Sequence, residues 1–194
     1  MSEAIETIDY RGYKIKIYQD EGYNISPDED KNEDLFLVGY HRDFTVERDD
    51  VLTKRICQVV MGDEPDDDEQ RQEAKDIKKK YHVFGLEAYI HSGVSLALSR
   101  EGNFCDRQWD VSQLGAVFVG KEVWKGKKKA REVALSLIEE WNSYLSGEVY
   151  GYVLEDKEEN MLDSCWGYVG DIKYCIEEAE RVCNHYPEQL VLPL

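Results

Sequence analysis

The sequence has far fewer positive than negative charges, and it has no long apolar run. It carries 24 Lys and Arg against 41 Asp and Glu, a formal net charge of −17 at pH 7. Because a field of that sign repels nucleic acid, we expect no direct binding of duplex DNA. No apolar stretch approaches the roughly 20 residues of a membrane-spanning helix, so no membrane partner is expected either.

The five cysteines, at positions 57, 105, 165, 175 and 183, form no CxxC pair. Residues 1–10 lack the basic start and apolar run of a secretory leader. We therefore expect a cytoplasmic protein with reduced thiols. Cys165 and Trp166 lie inside a predicted strand, and Cys175 and Cys183 lie on one helical stripe, which indicates core positions. No zinc-ligand spacing is present, and we expect no metal or cofactor.

Acidic residues are what the chain has in abundance, and they form four clusters at residues 20–34, 47–50, 63–73 and 155–163. The net charge exceeds the magnitude of about 2–8 that keeps a small domain soluble. A hydrophobic content of 42% and 13 Tyr nevertheless indicate a packed core rather than a disordered acidic chain. The acidic clusters therefore belong to a folded surface.

Hydrophobic periodicity predicts an α+β fold. Alternating or short apolar runs predict about seven strands, at residues 13–18, 35–41, 82–90, 94–98, 114–119, 149–154 and 162–168. Apolar stripes at helical spacing predict three helices, at residues 50–61, 121–145 and 171–183. Residues 69–80 are charged all round with few apolar positions and would form the fourth helix if they are helical. Because the strands follow one another in hairpin-like pairs, we predict an antiparallel sheet with the helices packed mainly on one face.

The domain organisation predicted from this pattern is a single domain over residues 1–194. Residues 1–10 read as a loose tail, and residues 63–80 read as a charged insert, either a solvated helix or a mobile linker. Residues 20–34 read as an exposed loop. If that loop closes a hairpin, the strands on either side of it are antiparallel neighbours.

Several strings, taken together and in order, resemble a family of small acidic proteins found on phages and other bacterial mobile elements. They are YKIKIYQD (residues 13–20), GYHR (39–42), HSG (91–93), GEVYGY (147–152) and DSCWGY (163–168). The similarity is one of pattern and order over residues 13–184. It carries no catalytic residues. The resemblance implies that the chain is encoded by a phage or another mobile element. Such genomes encode many acidic anti-restriction and anti-CRISPR proteins that block host defence.

The leading hypothesis is therefore a non-catalytic inhibitor that acts in the bacterial host cytoplasm by mimicking nucleic acid. Its partner would be a host defence nuclease, either a CRISPR effector with its guide complex or a restriction enzyme. Side chains on one face of a strand repeat at about 6.6 Å, close to the spacing of phosphates along a DNA strand. The residues expected to contact the partner are Asp28, Glu29, Asp30, Asp66, Asp67, Asp68, Glu158 and Glu159.

Two other functional classes remain open. One is a small enzyme with an unrecognised site that draws on His41, His91, Cys105 or Asp163. The other is a structural or assembly protein that forms a homodimer through the apolar residues 190–194.

The chain also carries one basic patch, made of Lys125, Lys127, Lys128, Lys129 and Arg131. We interpret it as a solvated helix face that balances neighbouring acids. Contact of this patch with RNA or DNA is left open.

Overall fold

The computed structural model describes residues 3–23, 25–27, 32–104 and 107–188. Within these residues the chain forms nine strands and five helices. The strands are β1 (Glu6–Tyr10), β2 (Tyr13–Gln19), β3 (Leu35–Tyr40), β4 (Thr45–Val46), β5 (Tyr81–Ile90), β6 (Val94–Leu98), β7 (Val111–Gly120), β8 (Val149–Glu155) and β9 (Met161–Val169). The helices are α1 (Lys54–Met61), α2 (Asp68–Lys80), α3 (Arg107–Asp110), α4 (Lys127–Leu145) and α5 (Ile172–Cys183).

The chain divides into two compact units. The smaller unit comprises Met1–Ile25 and Ser146–Leu194, and the larger unit comprises Ser26–Leu145. In chain order, the larger unit is inserted between β2 and β8. Each unit has its own antiparallel sheet and its own hydrophobic core.

In the smaller unit the sheet has the strand order β1-β2-β8-β9. Apolar and polar residues alternate along β2, so Ile15 and Ile17 point to one face, opposite Leu154 and Tyr152 of β8. Helix α5 covers that face with small residues about one turn apart, the buried Cys175, Ala179 and Cys183. The core positions predicted for Cys175 and Cys183 are therefore confirmed.

In the larger unit the sheet has the strand order β4-β3-β7-β5-β6. Helix α4 packs on one face of this sheet, and α1 and α2 pack on the other. The central strand β7 contributes to both cores, because Val117 faces α4 while Phe118 faces α1 and α2. A strand buried on both faces reads as a continuous apolar run, as residues 114–120 do.

Strand β7 also requires a glycine where it pairs with β3. Gly115 lies opposite Gly39 in the ladder. A Cβ atom at position 115 would lie 2.0 Å from the carbonyl oxygen of Val38, which is a steric clash with backbone. The close approach of these two strands therefore depends on the missing side chain.

The α+β class and the antiparallel pairing are confirmed, but three details of the prediction are wrong. The described residues contain nine strands rather than about seven, because β1 lies in the supposed tail and β4 is only two residues long. They contain five helices rather than three or four. In the larger unit the helices cover both faces of the sheet rather than mainly one.

Two connections also differ from expectation. Strands β2 and β3 are not antiparallel neighbours, because they belong to different sheets. The charged segment before β5 forms helix α2, so the helix is the alternative that the structure shows for residues 69–80. A narrow seam suffices to anchor this helix, in which Ala74 is buried and Ile77 packs against the core of the larger unit.

Candidate protein-binding surface

The predicted contact residues Asp28, Glu29 and Asp30 lie outside the described residues. The remaining five divide between the two units. Asp66, Asp67 and Asp68 belong to the larger unit, whereas Glu158 and Glu159 belong to the smaller one.

Asp66 holds together the loop that precedes α2. Its two carboxylate oxygens accept hydrogen bonds from Arg55 Nε at 2.9 Å and Arg55 Nη2 at 2.6 Å. Gln70 Nε2 donates a third bond at 3.2 Å. The hydrogen bond from Arg55, followed by that from Gln70, lowers the pKa of Asp66 below its usual value. This carboxylate is thus engaged within the fold.

Asp67 and Asp68 stabilise the N-terminus of α2. The side chain of Asp67 is the N-cap and accepts a hydrogen bond from Gln70 N at 2.8 Å. Asp68 lies in the first turn and pairs with Arg71 at 2.7 Å. Local structure therefore explains why acids cluster here, and contact of these three residues with a partner stays a prediction.

Glu158 and Glu159 lie in the turn that joins β8 to β9. Asp156 organises this turn, because its Oδ1 accepts hydrogen bonds from Glu158 N at 2.9 Å and Asn160 N at 2.8 Å. Bonds from Asn160 are the main reason that the pKa of Asp156 is lowered. Glu159 takes the left-handed backbone conformation, with φ of 64°. The turn has a defined geometry that presents two adjacent carboxylates.

Both carboxylates are solvent-exposed and weakly paired. Glu159 lies 3.5 Å from Lys14 Nζ, and its side chain is 71% exposed. Glu158 lies 3.8 Å from Lys157 Nζ, and its side chain is 61% exposed. Exposed pairs of this kind contribute about 0–1 kcal/mol, so a cationic partner could displace the lysines at little cost.

The turn lies at one end of the sheet face opposite α5, which we call the open face. Because residues paired across antiparallel strands share a face, this face carries Lys14, Lys16 and Tyr18 from β2 with Val153 and Glu155 from β8. Lys16 Nζ lies 2.9 Å and 2.7 Å from the two carboxylate oxygens of Glu155. No described helix of the smaller unit covers this face.

An aromatic pair occupies the other end of the open face. Trp166 lies over Gly151, whose missing side chain makes room for the indole, since a Cβ there would fall 2.2 Å from Trp166 Cε3. The rings of Trp166 and Tyr18 are 5.9 Å apart. Trp166 remains 47% exposed. An exposed tryptophan on a sheet face is a typical anchor for a protein partner.

The core positions predicted for Cys165 and Trp166 are wrong, because both residues are exposed. The sequence pattern predicts the strand correctly, but it does not predict that these two residues are exposed. Strand β9 lies at the edge of its sheet, and none of its residues is fully buried. One signal in the sequence is the pair Gly151 and Trp166 on successive strands of a predicted hairpin, since a glycine opposite an aromatic residue often accommodates its ring.

Of the candidate catalytic residues, His41 and His91 lie in separate loops of the larger unit. His41 Nδ1 accepts a hydrogen bond from Asp43 N at 3.1 Å within its own loop. His91 lies in the turn between β5 and β6. Asp163 belongs to the other unit, where it accepts a bond from Ser164 N at 2.7 Å. Cys105, like the apolar residues 190–194, lies outside the described residues.

Charge is divided unequally between the two units. The smaller unit has 16 Asp and Glu against 6 Lys and Arg, a net formal charge of −10 on 74 residues. The larger unit has 25 against 18, a net charge of −7 on 120 residues. The acidic excess per residue is therefore more than twice as high in the smaller unit.

Comparison with known proteins identifies no relative: no protein-family model, no curated protein and no solved structure matches the chain. In the part of the chain that the structure describes, no helix is both long and apolar enough to span a membrane. The same residues contain no group of three or more His, Cys, Asp or Glu side chains arranged to hold a metal ion.

Proposed function

We propose that this chain is an anti-defence protein of a phage or mobile element, and that it inhibits without catalysis. Its smaller unit docks on the basic nucleic-acid-binding surface of a host CRISPR effector or restriction nuclease. The observation that carries the proposal is the acidic excess of the smaller unit, which is a folded unit with its own sheet and core.

Electrostatics supports the docking step. A nuclease that binds nucleic acid presents Lys and Arg where phosphates lie, and a dense cluster of carboxylates complements that surface. Glu158 and Glu159 are exposed, adjacent and held in a defined turn. Complementary charge of this kind speeds association and makes the affinity fall with added salt.

The open face adds a contact that charge alone does not provide. Gly151, under Trp166, and Glu155 are four residues apart on β8, which at about 3.3 Å per residue places the two ends of the face roughly 13 Å apart. An interface of standard size buries about 800 Å² per partner and spans both ends. The aromatic end supplies apolar area for binding, while the acidic end orients the complex.

The proposal is tested by titrating the full chain against purified CRISPR effector complexes and restriction enzymes. Binding and nuclease inhibition are measured at several salt concentrations. The double variant Glu158→Lys/Glu159→Lys is expected to weaken binding by about tenfold or more, equivalent to about 1.4 kcal/mol. Trp166→Ala is expected to weaken it to a similar degree while leaving the salt dependence unchanged, because the indole carries no charge.

A matched control separates local contact from total charge. Glu69→Lys/Glu73→Lys changes the net charge equally, but at exposed positions on α2 in the larger unit. We expect this variant to bind within about threefold of the unchanged protein. Equal loss in both double variants, an affinity that does not change with salt, or no binding to any nuclease in the panel would overturn the proposal.

A further inference from the structure

Two runs of lysines that are far apart in the sequence meet in the larger unit. One run ends α2, with Lys78, Lys79 and Lys80, and the other leads from Lys121 into α4. The ladder between β5 and β7 pairs Tyr81 with Gly120, which places the two runs side by side. Lys121 then donates its backbone N–H to Lys80 O at 2.9 Å and its Nζ to Lys78 O at 2.5 Å.

Between these runs lies an open cleft of about 450 Å³. Its lining includes the charged residues Lys78, Lys121 and Lys127, together with Tyr81 and His82. Apolar residues from the end of α1 and the start of β5 form the rest of the lining, among them Val60 and Val83. The charged residues that line this cleft are all lysines, although the chain as a whole has a large acidic excess.

The cations of the cleft are not neutralised by neighbouring acids. Outside the cleft lining, Lys79 pairs with Asp76 and Lys129 pairs with Glu132. By contrast, among the described residues no carboxylate lies within 4.0 Å of the ammonium groups of Lys78, Lys121 or Lys127. Like charges held close together repel one another, and a bound anion would offset that repulsion.

The acidic field of the rest of the chain does not prevent anion binding here. At physiological ionic strength the Debye length is about 8 Å, so exposed charges further away than this are largely screened. The lysines that line the cleft are therefore the charged side chains nearest to a ligand bound in it. Lys129 and Arg131 of the basic patch pair with acidic residues, as the interpretation of a solvated helix face expects. Lys127 of the same patch lines the cleft instead.

We propose that this cleft binds phosphate groups, supplied either by a nucleic-acid backbone or by a free polyphosphate compound. Lysine ammonium groups bind phosphate as point charges without fixed orientation, which suits an open cleft. The inference is independent of the proposed function, because it concerns a different unit and a different class of ligand.

A different role for the lysines is protection of a sheet edge. Strand β6 pairs only with residues 86–90 of β5, which leaves the Tyr81–Gly85 half of β5 without a described strand on that side. Lysines along such an edge discourage pairing with other chains. Edge protection needs scattered charge and predicts no affinity for phosphate, so the two roles give opposite results in a binding experiment.

The test uses the full chain and fluorescence anisotropy with labelled DNA, both single-stranded and duplex, of about 12 and about 24 nucleotides, at low and physiological salt. Inorganic triphosphate serves as the competitor. The variant Lys78→Ala/Lys127→Ala is expected to raise Kd by about tenfold and to reduce the salt slope by about two, since each lysine releases about one counterion. Lys121 is left intact because it also bonds a backbone carbonyl.

Two control variants accompany this one. Lys157→Ala/Lys173→Ala removes the same charge from the smaller unit and should change Kd less than about twofold. Lys78→Arg/Lys127→Arg retains the charge and should retain binding. Affinity that rises with oligonucleotide length and resists the competitor assigns the ligand to a nucleic-acid backbone. Displacement of the DNA by triphosphate at an equal concentration of phosphate groups assigns the ligand to a small polyphosphate. Either assignment supports a phosphate site in the cleft.

Three results would overturn the inference. The first is no binding of either DNA or triphosphate at low salt. The second is equal weakening by the cleft variant and the smaller-unit control. The third is loss of binding in the arginine variant while its circular dichroism and thermal unfolding match those of the unchanged protein, because charge would then not be the cause.

Discussion

The two units of this protein differ in how many faces of the sheet are covered by helices. The larger unit covers both faces of its five strands, with α4 on one side and α1 and α2 on the other. The smaller unit covers one face of its four strands with the single helix α5. Its open face carries ion pairs at one end and the exposed Trp166 at the other.

The charges differ in the same way. The smaller unit has the larger acidic excess per residue, whereas the larger unit has a smaller acidic excess and three lysines that line one cleft. Net charge alone therefore predicts little about either surface. A sheet face that no described helix of its unit covers occurs in the smaller unit, and a cleft lined by lysines occurs in the larger one.

The largest expected effect comes from cavities in the two separate cores. Leu154 in the smaller unit and Leu86 in the larger are both fully buried. We expect Leu154→Ala and Leu86→Ala each to lower the free energy of unfolding by about 2–5 kcal/mol, because each removes buried methyl groups and leaves a cavity. Hydrogen exchange followed by mass spectrometry should show the lost protection mainly in the unit that carries the substitution.

The control for this comparison is Val123→Ala, at an exposed position, which should change stability by less than about 0.5 kcal/mol. If either leucine variant weakens protection equally across both units, the chain unfolds as the single domain that its sequence predicts. The two units would then be separately packed regions that nevertheless unfold together.

An intermediate effect is expected at two helix N-caps, one in each unit. Asp67 caps α2, and Asp171 caps α5 by accepting a bond from Lys173 N at 2.9 Å. Either residue changed to Ala should cost about 1 kcal/mol in denaturant unfolding, whereas Asn retains the capping oxygen and should cost little. Asn variants as unstable as the Ala variants would show that negative charge at the helix start matters more than the hydrogen bond.

The smallest effect is a difference in thiol reactivity. Cys165 is exposed, whereas Cys57 is buried, and desolvation raises the pKa of Cys57 to about 11. Near pH 8 only about one in a thousand Cys57 thiols is ionised, so alkylation resolved by peptide mass spectrometry should modify Cys165 first. In denaturant both should react alike. Rapid alkylation of native Cys57 would contradict its placement in the core of the larger unit.

Local patterns predict many of the individual elements. The alternation in β2, the hairpin of β5 and β6 around residues 91–93 and the cap at Asp171 all follow from neighbours in sequence, and the structure contains each of them. The prediction is wrong where neighbouring residues in the sequence carry no clear hydrophobic pattern. Strand β1 is mostly exposed, so it lacks a hydrophobic signal, and α2 is anchored by a narrow apolar seam.

The candidate surfaces are predictable to different degrees for the same reason. The exposed turn at Glu158 and Glu159 is visible as acids around a hairpin signal. The role of Asp67 as a cap depends on where α2 begins, which sequence patterns locate only to within a few residues. The exposure of Trp166 depends on β9 being an edge strand, and strand order is a non-local property.

Composition and periodicity alone determine that this chain is acidic, that it has a packed core and that it belongs to the α+β class. Its tertiary structure decides which carboxylates are engaged by Arg55 or by a helix start and which remain exposed. It also decides that Lys78, Lys121 and Lys127 line one cleft. The physical reason is that hydrophobic patterning acts over a few residues, whereas the pairing of β5 with β7 brings together charges about 40 residues apart in sequence.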